Sequence, residues 1–161
     1  KGIRHRTAHI WVVRKLDGKV QLLLQKRSAE KDSFPGRFDT SSAGHIQAGD
    51  EPKESAVREL REELGIEAQE SRLQFAGCFH IKYEKEFHGK MFRDNEVSFV
   101  YMYTEPVEVS TLTLQKEEVE CVEWFDMEEL DRALQPPRDH KFCVPSEGFQ
   151  IAKKWCEAKF C

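Results

Sequence analysis

The chain has 161 residues, 39% apolar and 34% charged, a balance that a folded chain holds and a disordered one does not. This length reads as one domain, residues 1–161, large enough to bury a core without disulfide staples. A net charge of −4 argues against broad attraction to nucleic acid or anionic membrane, and the early apolar run at residues 10–13 is far too short to span a bilayer. Five scattered cysteines, an odd number with no CxxC pair, point away from a disulfide framework and toward a reducing cytoplasm.

Residues 7–14 and 20–26 read as strands, joined by a turn whose Asp17-Gly18 pair is a strong hairpin signal. Residues 27–39 form a polar loop around Phe34-Pro35-Gly36, leading to a short strand at 40–43. A helix is expected from Asp50-Glu51-Pro52, with Asp50 as N-cap, proline in the first turn and Gly65 as a left-handed cap at the far end. Residues 73–83 and 96–104 are rich in aromatic and branched side chains and flank His88-Gly89-Lys90, which predicts a long antiparallel pair. A strand at 121–125 follows, then a helix from Asp126 to about Leu134 that Pro136-Pro137 stops. The last helix covers 145–159, where Phe149, Ala152 and Cys156 keep helical spacing. Mixed strands with helices on both sides make an α/β fold, an α/β/α sandwich around a mixed sheet.

The stretch GHIQAGDEPKESAVRELREELGI, residues 44–66, carries the chemistry. On a helix Glu59, Glu62 and Glu63 share one face, while Val57, Leu60 and Leu64 line another. One reading is a solvated face laced by Glu54–Arg58 and Arg58–Glu62 pairs. Against it, Glu59 and Glu63 stand at the like-charge spacing, which costs roughly 0.2–0.5 kcal/mol. A hard divalent cation would remove that conflict, and Mg²⁺ or Mn²⁺ suits oxygen ligands of this kind.

The fixed positions around these carboxylates resemble the Nudix box, Gly-x5-Glu-x7-Arg-Glu-U-x-Glu-Glu-x-Gly-U, where U is bulky and aliphatic. Gly44, Arg58, Glu59, Leu60, Glu62, Glu63, Gly65 and Ile66 match it, and Asp50 stands where the box has its first Glu. The resemblance implies a Nudix-type sandwich that binds a divalent cation and hydrolyses a nucleoside diphosphate derivative or similar diphosphate. It assigns Glu59, Glu62, Glu63 and the carbonyl of Ala43 as metal ligands, with Arg58 orienting the carboxylates. The general base is Glu62 or a loop glutamate, for which Glu118 is the candidate. Lys26 and Arg27, at the end of the second strand, are candidate phosphate contacts, Arg27 the stronger because a guanidinium can grip phosphate bidentately. The expected partner is a small-molecule diphosphate, neither nucleic acid nor membrane, with a homodimer left open.

His9, the loop before the box and the segment Asp94-Asn95-Glu96-Val97 look like the isopentenyl-diphosphate isomerase branch of that family. His9, His45, Asp94 and Glu96 occupy positions matching a metal site in the isomerases. Two residues break the match: Ala43 stands where the isomerases have a reacting cysteine, and Gly2 where they have a further metal-binding histidine. Alanine cannot move a proton at an allylic carbon, so the expectation is a hydrolase rather than an isomerase. A noncatalytic binding module is the third alternative, opposed by the intact set of mutually repelling carboxylates.

Overall fold

A strand apolar on both faces belongs in the middle of a sheet, and β1 (Ile3–Leu16) meets that description over Ile10, Trp11, Val12 and Val13, all buried. The computed structural model describes residues 3–31, 33–87 and 90–160. Along one side β1 runs parallel to β6 (Lys90–Tyr103); along the other it pairs antiparallel with β2 (Lys19–Arg27) and with β4 (Ser42–His45). The sheet continues from β2 to β3 (Phe38–Asp39) and β7 (Val119–Asp126), and from β6 to the antiparallel β5 (Leu73–Phe87). The hairpin between β1 and β2 has the two positive φ values that Asp17-Gly18 predicts, 51° and 79°. The expected turn at His88-Gly89 lies outside the described residues.

Side-chain alternation divides the core in two. Ala8, Ile10, Val12, Leu23, Tyr101 and Tyr103 face helix α1 (Pro52–Glu59) and the π-helical turn Leu60–Leu64, meeting Ala56, Leu60 and Leu64. Trp11, Val13, Leu22, Leu24, Val100 and Met102 face α2 (Met127–Leu134) and α3 (Ser146–Phe160), meeting Leu130, Phe149, Ala152 and Cys156. Each fully buried Leu, Ile or Phe contributes roughly 1.5–3 kcal/mol relative to exposure, so both helical layers are tied to the sheet by several such side chains. The result is the expected α/β/α sandwich, on a mixed sheet of seven strands among the described residues.

Local departures have physical reasons. β4 forms two residues later than expected and runs into the start of the box, because its partner on β1 is Thr7 to Ile10. Helix α1 starts after Glu51, whose N–H donates to the Glu54 carboxylate at 3.4 Å, so Asp50 does not cap it. The helix also widens into the π-turn instead of running regularly to Leu64, a distortion that recurs at functional sites. Gly65 closes it with φ 74°, and a Cβ there would lie 2.9 Å from the Thr113 nitrogen, so position 65 needs glycine for both conformation and space. Among the described residues no helix is long and apolar enough to cross a membrane.

Candidate active site

The C-terminal half of the acidic helix opens on a cavity of about 890 Å³. Glu59, Glu62, Glu63 and Arg58 line one wall, with Ala43, Gly44 and His45 of β4 beneath them. Arg27 ends β2, Lys31, Ser33 and Phe34 come from the loop after it, and Glu118 from the loop before β7. Backbone bonds bring that second loop in: Thr113 N–H donates to Leu64 O at 3.2 Å, Gln115 N–H to Glu63 O at 3.0 Å, and Ser28 N–H to Glu118 O at 3.0 Å.

Each carboxylate of the box has its own surroundings. Glu63 is buried, and its Oε1 accepts three hydrogen bonds, from Ser42 Oγ at 2.7 Å, Gln25 Nε2 at 3.1 Å and Ala43 N at 3.2 Å. Burial still wins: its pKa is pushed up to about 7, with the neighbouring Glu59 adding to the rise and the three donors opposing it. Glu59 is raised by burial in the same way, held back by Arg58 and pushed further by Glu62. Its carboxyl group fills the space over Gly44, where a Cβ would fall 2.2 Å from Glu59 Cδ. The box glycine is therefore the room in which Glu59 lies.

Arg58 ties this wall together. Its guanidinium donates to His45 O at 3.1 Å and pairs with Glu59 at 3.5 Å and Asp50 at 3.3 Å. Asp50, the departure from the box, thus reaches Arg58 despite its shorter side chain, while Arg6 fixes the loop by donating to Gln47 O and Asp50 O, each at 3.2 Å. Among the described residues no three His, Cys, Asp or Glu side chains converge into a ready cage for a cation. Glu59 turns to Arg58 and Glu63 to Ser42 and Gln25, as mutually repelling carboxylates do. The donors on this wall are nevertheless hard oxygens at one cavity surface, the chemistry that Mg²⁺ and Mn²⁺ accept.

The remaining candidates are sorted by position. Glu118 faces the cavity paired with Lys31, which bridges the two loops. Arg27 also faces it, held by Ser33 O at 3.0 Å, Ser33 Oγ at 3.2 Å and Asp39 at 3.5 Å. Lys26 does not: the alternation of β2 turns it away, to Glu120 at 3.5 Å. His9, His45 and Glu96 all line the cavity, whereas the side chain of Asp94 lies outside the described residues. Cys143 lines it too, but burial and a bond with Asp39 push its thiol up to about 12, so it stays protonated. Trp124 packs under the Arg14 guanidinium at 4.1 Å, and Phe38 packs edge-on against Phe125 at 5.0 Å, whereas Phe34 lines the cavity.

Sequence reading missed Gln25, Ser42, Lys31 and Thr7. Gln25 did leave a trace, a polar residue in the register of buried Leu23 on a strand. Lys31 and Ser42 left none, since only the folded loops bring them to Glu118 and Glu63.

The site thus stands where a mixed sheet between helical layers meets an acidic helix end at one cavity. Residues 3–143 match the NUDIX domain family. An uncharacterized Nudix hydrolase of Clostridium acetobutylicum is 41% identical over 151 residues, 94% of this chain and 69% of that protein. Nudix hydrolase 3 of Arabidopsis thaliana is 43% identical over 130 residues, 80% of this chain but 16% of its own length. The NUDIX domain of Shewanella oneidensis NrtR complexed with ADP ribose shares the fold, with a TM-score of 0.66 at 12% identity over 99% of this chain and 90% of that one. The chain belongs to the Nudix family, and its relationships make it an enzyme of the Nudix pyrophosphohydrolase class.

Proposed function

We propose that the chain hydrolyses a diphosphate linkage in a nucleoside diphosphate derivative or similar organic diphosphate, with Mg²⁺ or Mn²⁺ held by Glu59, Glu62, Glu63 and the Ala43 carbonyl. The observation that carries this reading is the meeting of the three box carboxylates with Arg27 and Lys31 around one cavity. Such an ion screens phosphate oxygens and lowers the pKa of its water. Arg58 positions Glu59, and Gln25 and Ser42 fix one oxygen of Glu63 so that the other is left to face the site. Arg27, already oriented by Ser33 and Asp39, presents a fixed cation to the diphosphate. Glu62 or Glu118 takes the proton of the attacking water; Glu118 does so after Lys31 turns from it to a phosphate oxygen. Lys26 has no part, since it points away. The free thiols of Cys78, Cys121, Cys143 and Cys156 suit a reducing cytoplasm.

The test is a panel of ADP-ribose, nucleotide sugars, dinucleotides, CoA derivatives and prenyl diphosphates, each assayed with both ions. Turnover that needs the ion and falls by about 10²–10⁴ in Glu62→Gln is expected if Glu62 is the base. Full turnover in that variant and its loss in Glu118→Gln would move the role to Glu118. Conversion of isopentenyl to dimethylallyl diphosphate would overturn hydrolysis in favour of isomerisation, for which Ala43 offers no acid.

A further inference from the structure

Consecutive hydroxyl side chains, Thr40, Ser41 and Ser42, lead from β3 into β4, and all of them are buried. Polar groups so placed cost stability unless they are paired. The two serines are paired within the fold. Ser41 Oγ accepts from the Val12 N–H at 2.8 Å and donates to Leu23 O, where the β1–β2 ladder ends, while Ser42 Oγ donates to Glu63 Oε1 at 2.7 Å. Thr40 differs from both. It is 1% exposed and lines the cavity, yet its Oγ1 has no hydrogen-bond partner among the described residues. A valine would have the same shape without the unpaired group, so the fold by itself makes no use of this hydroxyl.

Its neighbours show what it is suited to meet. Asp39 joins Thr40 to Arg27: its Oδ1 accepts the Thr40 N–H at 2.7 Å, and its Oδ2 pairs with Arg27 Nη1 at 3.5 Å. The Cys143 thiol donates to the same carboxylate. Asp39 is thus supplied with donors already. Arg27 uses one donor on each of its nitrogens, at Ser33 O, Ser33 Oγ and Asp39, and each terminal nitrogen keeps a second N–H. Spare donors on a fixed cation, beside a hydroxyl with no acceptor of its own, suit an anionic oxygen. Because Oγ1 has no bond to give up, its rotation about Cα–Cβ toward such an oxygen breaks no hydrogen bond.

We infer that Thr40 is a substrate-binding residue whose hydroxyl donates to a phosphoryl oxygen held at the same time by Arg27. The inference rests on the diphosphate reading above and adds a contact that lies outside the 44–66 stretch. Residues 40–43 then serve both sides of the cavity. Thr40 stands at the guanidinium, while Ser42 Oγ and the Ala43 N–H reach Glu63 on the acidic wall. Pairing gained only on binding also makes the position selective, since a ligand without the acceptor leaves the hydroxyl buried and unpaired.

The experiment is calorimetric titration, in Mg²⁺ buffer, of methylenediphosphonate, a diphosphate analogue whose P–C–P bridge water does not cleave. It compares the wild-type chain with Thr40→Val, Thr40→Ser, Arg27→Lys and the double variant Thr40→Val/Arg27→Lys. The expected Kd rises about tenfold in Thr40→Val and stays within about twofold of wild type in Thr40→Ser. In the double variant the loss should be smaller than the product of the single losses, because both groups hold one oxygen. Without ligand, Thr40→Val should melt within about 2 °C of wild type or above it, since no bond is lost. Wild-type affinity in Thr40→Val, equal weakening in the serine and valine variants, or no binding to the wild-type chain at millimolar analogue would each overturn the inference. So would a fall of more than about 4 °C in the melting temperature of Thr40→Val, which would give the hydroxyl to the fold. Absence of cleavage on every substrate tested would sink the hydrolytic reading alone, because the titration decides Thr40 without turnover.

Discussion

The two ends of β1 differ in what covers them. From Ile10 to Val13 both faces of the strand lie under helices, and every side chain is apolar and buried. At Thr7 and His9 one face still meets the layer of the acidic helix through Ala8, while the other opens on the cavity and turns polar. One strand thus anchors the fold at one end and presents chemistry at the other. The core and the cavity wall are separated here by a few residues of the same element.

That separation can be broken or sharpened by experiment. The largest effect is expected from Trp11→Ala, which removes a fully buried indole and should cost about 3–5 kcal/mol in urea unfolding. An equal cost for Thr7→Val would dissolve the distinction between the two ends. Next comes Glu63. Its folded pKa of about 7 lies above its ordinary 4.5, so the protonated form is the one that favours folding. In metal-free protein its stabilising contribution is full below about pH 4.5 and is lost as pH rises toward 7, by up to about 3 kcal/mol. Thermal melts across that window should show the slope, Glu63→Gln should flatten it, and Mg²⁺ should offset it at pH 8 by favouring the ionised form.

A smaller stability effect, with a larger functional one, is expected at Gly44. The new methyl in Gly44→Ala would displace the end of the Glu59 side chain, which can move, so unfolding should shift by less than about 1 kcal/mol. Ion-dependent turnover should fall at least about tenfold, because the displaced Glu59 carboxylate leaves its place beside Arg58 on the acidic wall; wild-type turnover would refute the assigned use of that space. The smallest change belongs to Asp50→Asn. Its partly exposed pair with Arg58 is expected to contribute at most about 1 kcal/mol, measurable as a modest drop in melting temperature.

Much of this was readable in advance because it is local. The hairpin at Asp17-Gly18, the left-handed cap at Gly65 and the carboxylate spacing from Glu59 to Glu63 are each set within a few residues. The strand-and-helix order also followed, since apolar periodicity reports which face is covered. The π-turn escaped because Leu60 to Leu64 has the composition of an ordinary helix. Asp50 read as a cap because its residue type favours one, and only Arg58, eight residues on, gives it another partner. The contact between Thr7 and Ser98 escaped for a different reason: they lie 91 residues apart and meet only once β1 pairs with β6. Lys26 and Arg27 were adjacent and alike in charge, yet strand alternation sends one to Glu120 and the other to the cavity.

The backbone splice between the helix end and the loop at 113–118 has a dynamic consequence. Thr113 and Gln115 donate to the carbonyls of Leu64 and Glu63, so neither segment can open without exposing the other's polar groups. They form one cooperative opening unit, and the amides of Thr113 and Gln115 should exchange with solvent deuterium at the rate of the helix end rather than of a free loop. Tightening the helix end would then slow exchange in the loop at 113–118 as well.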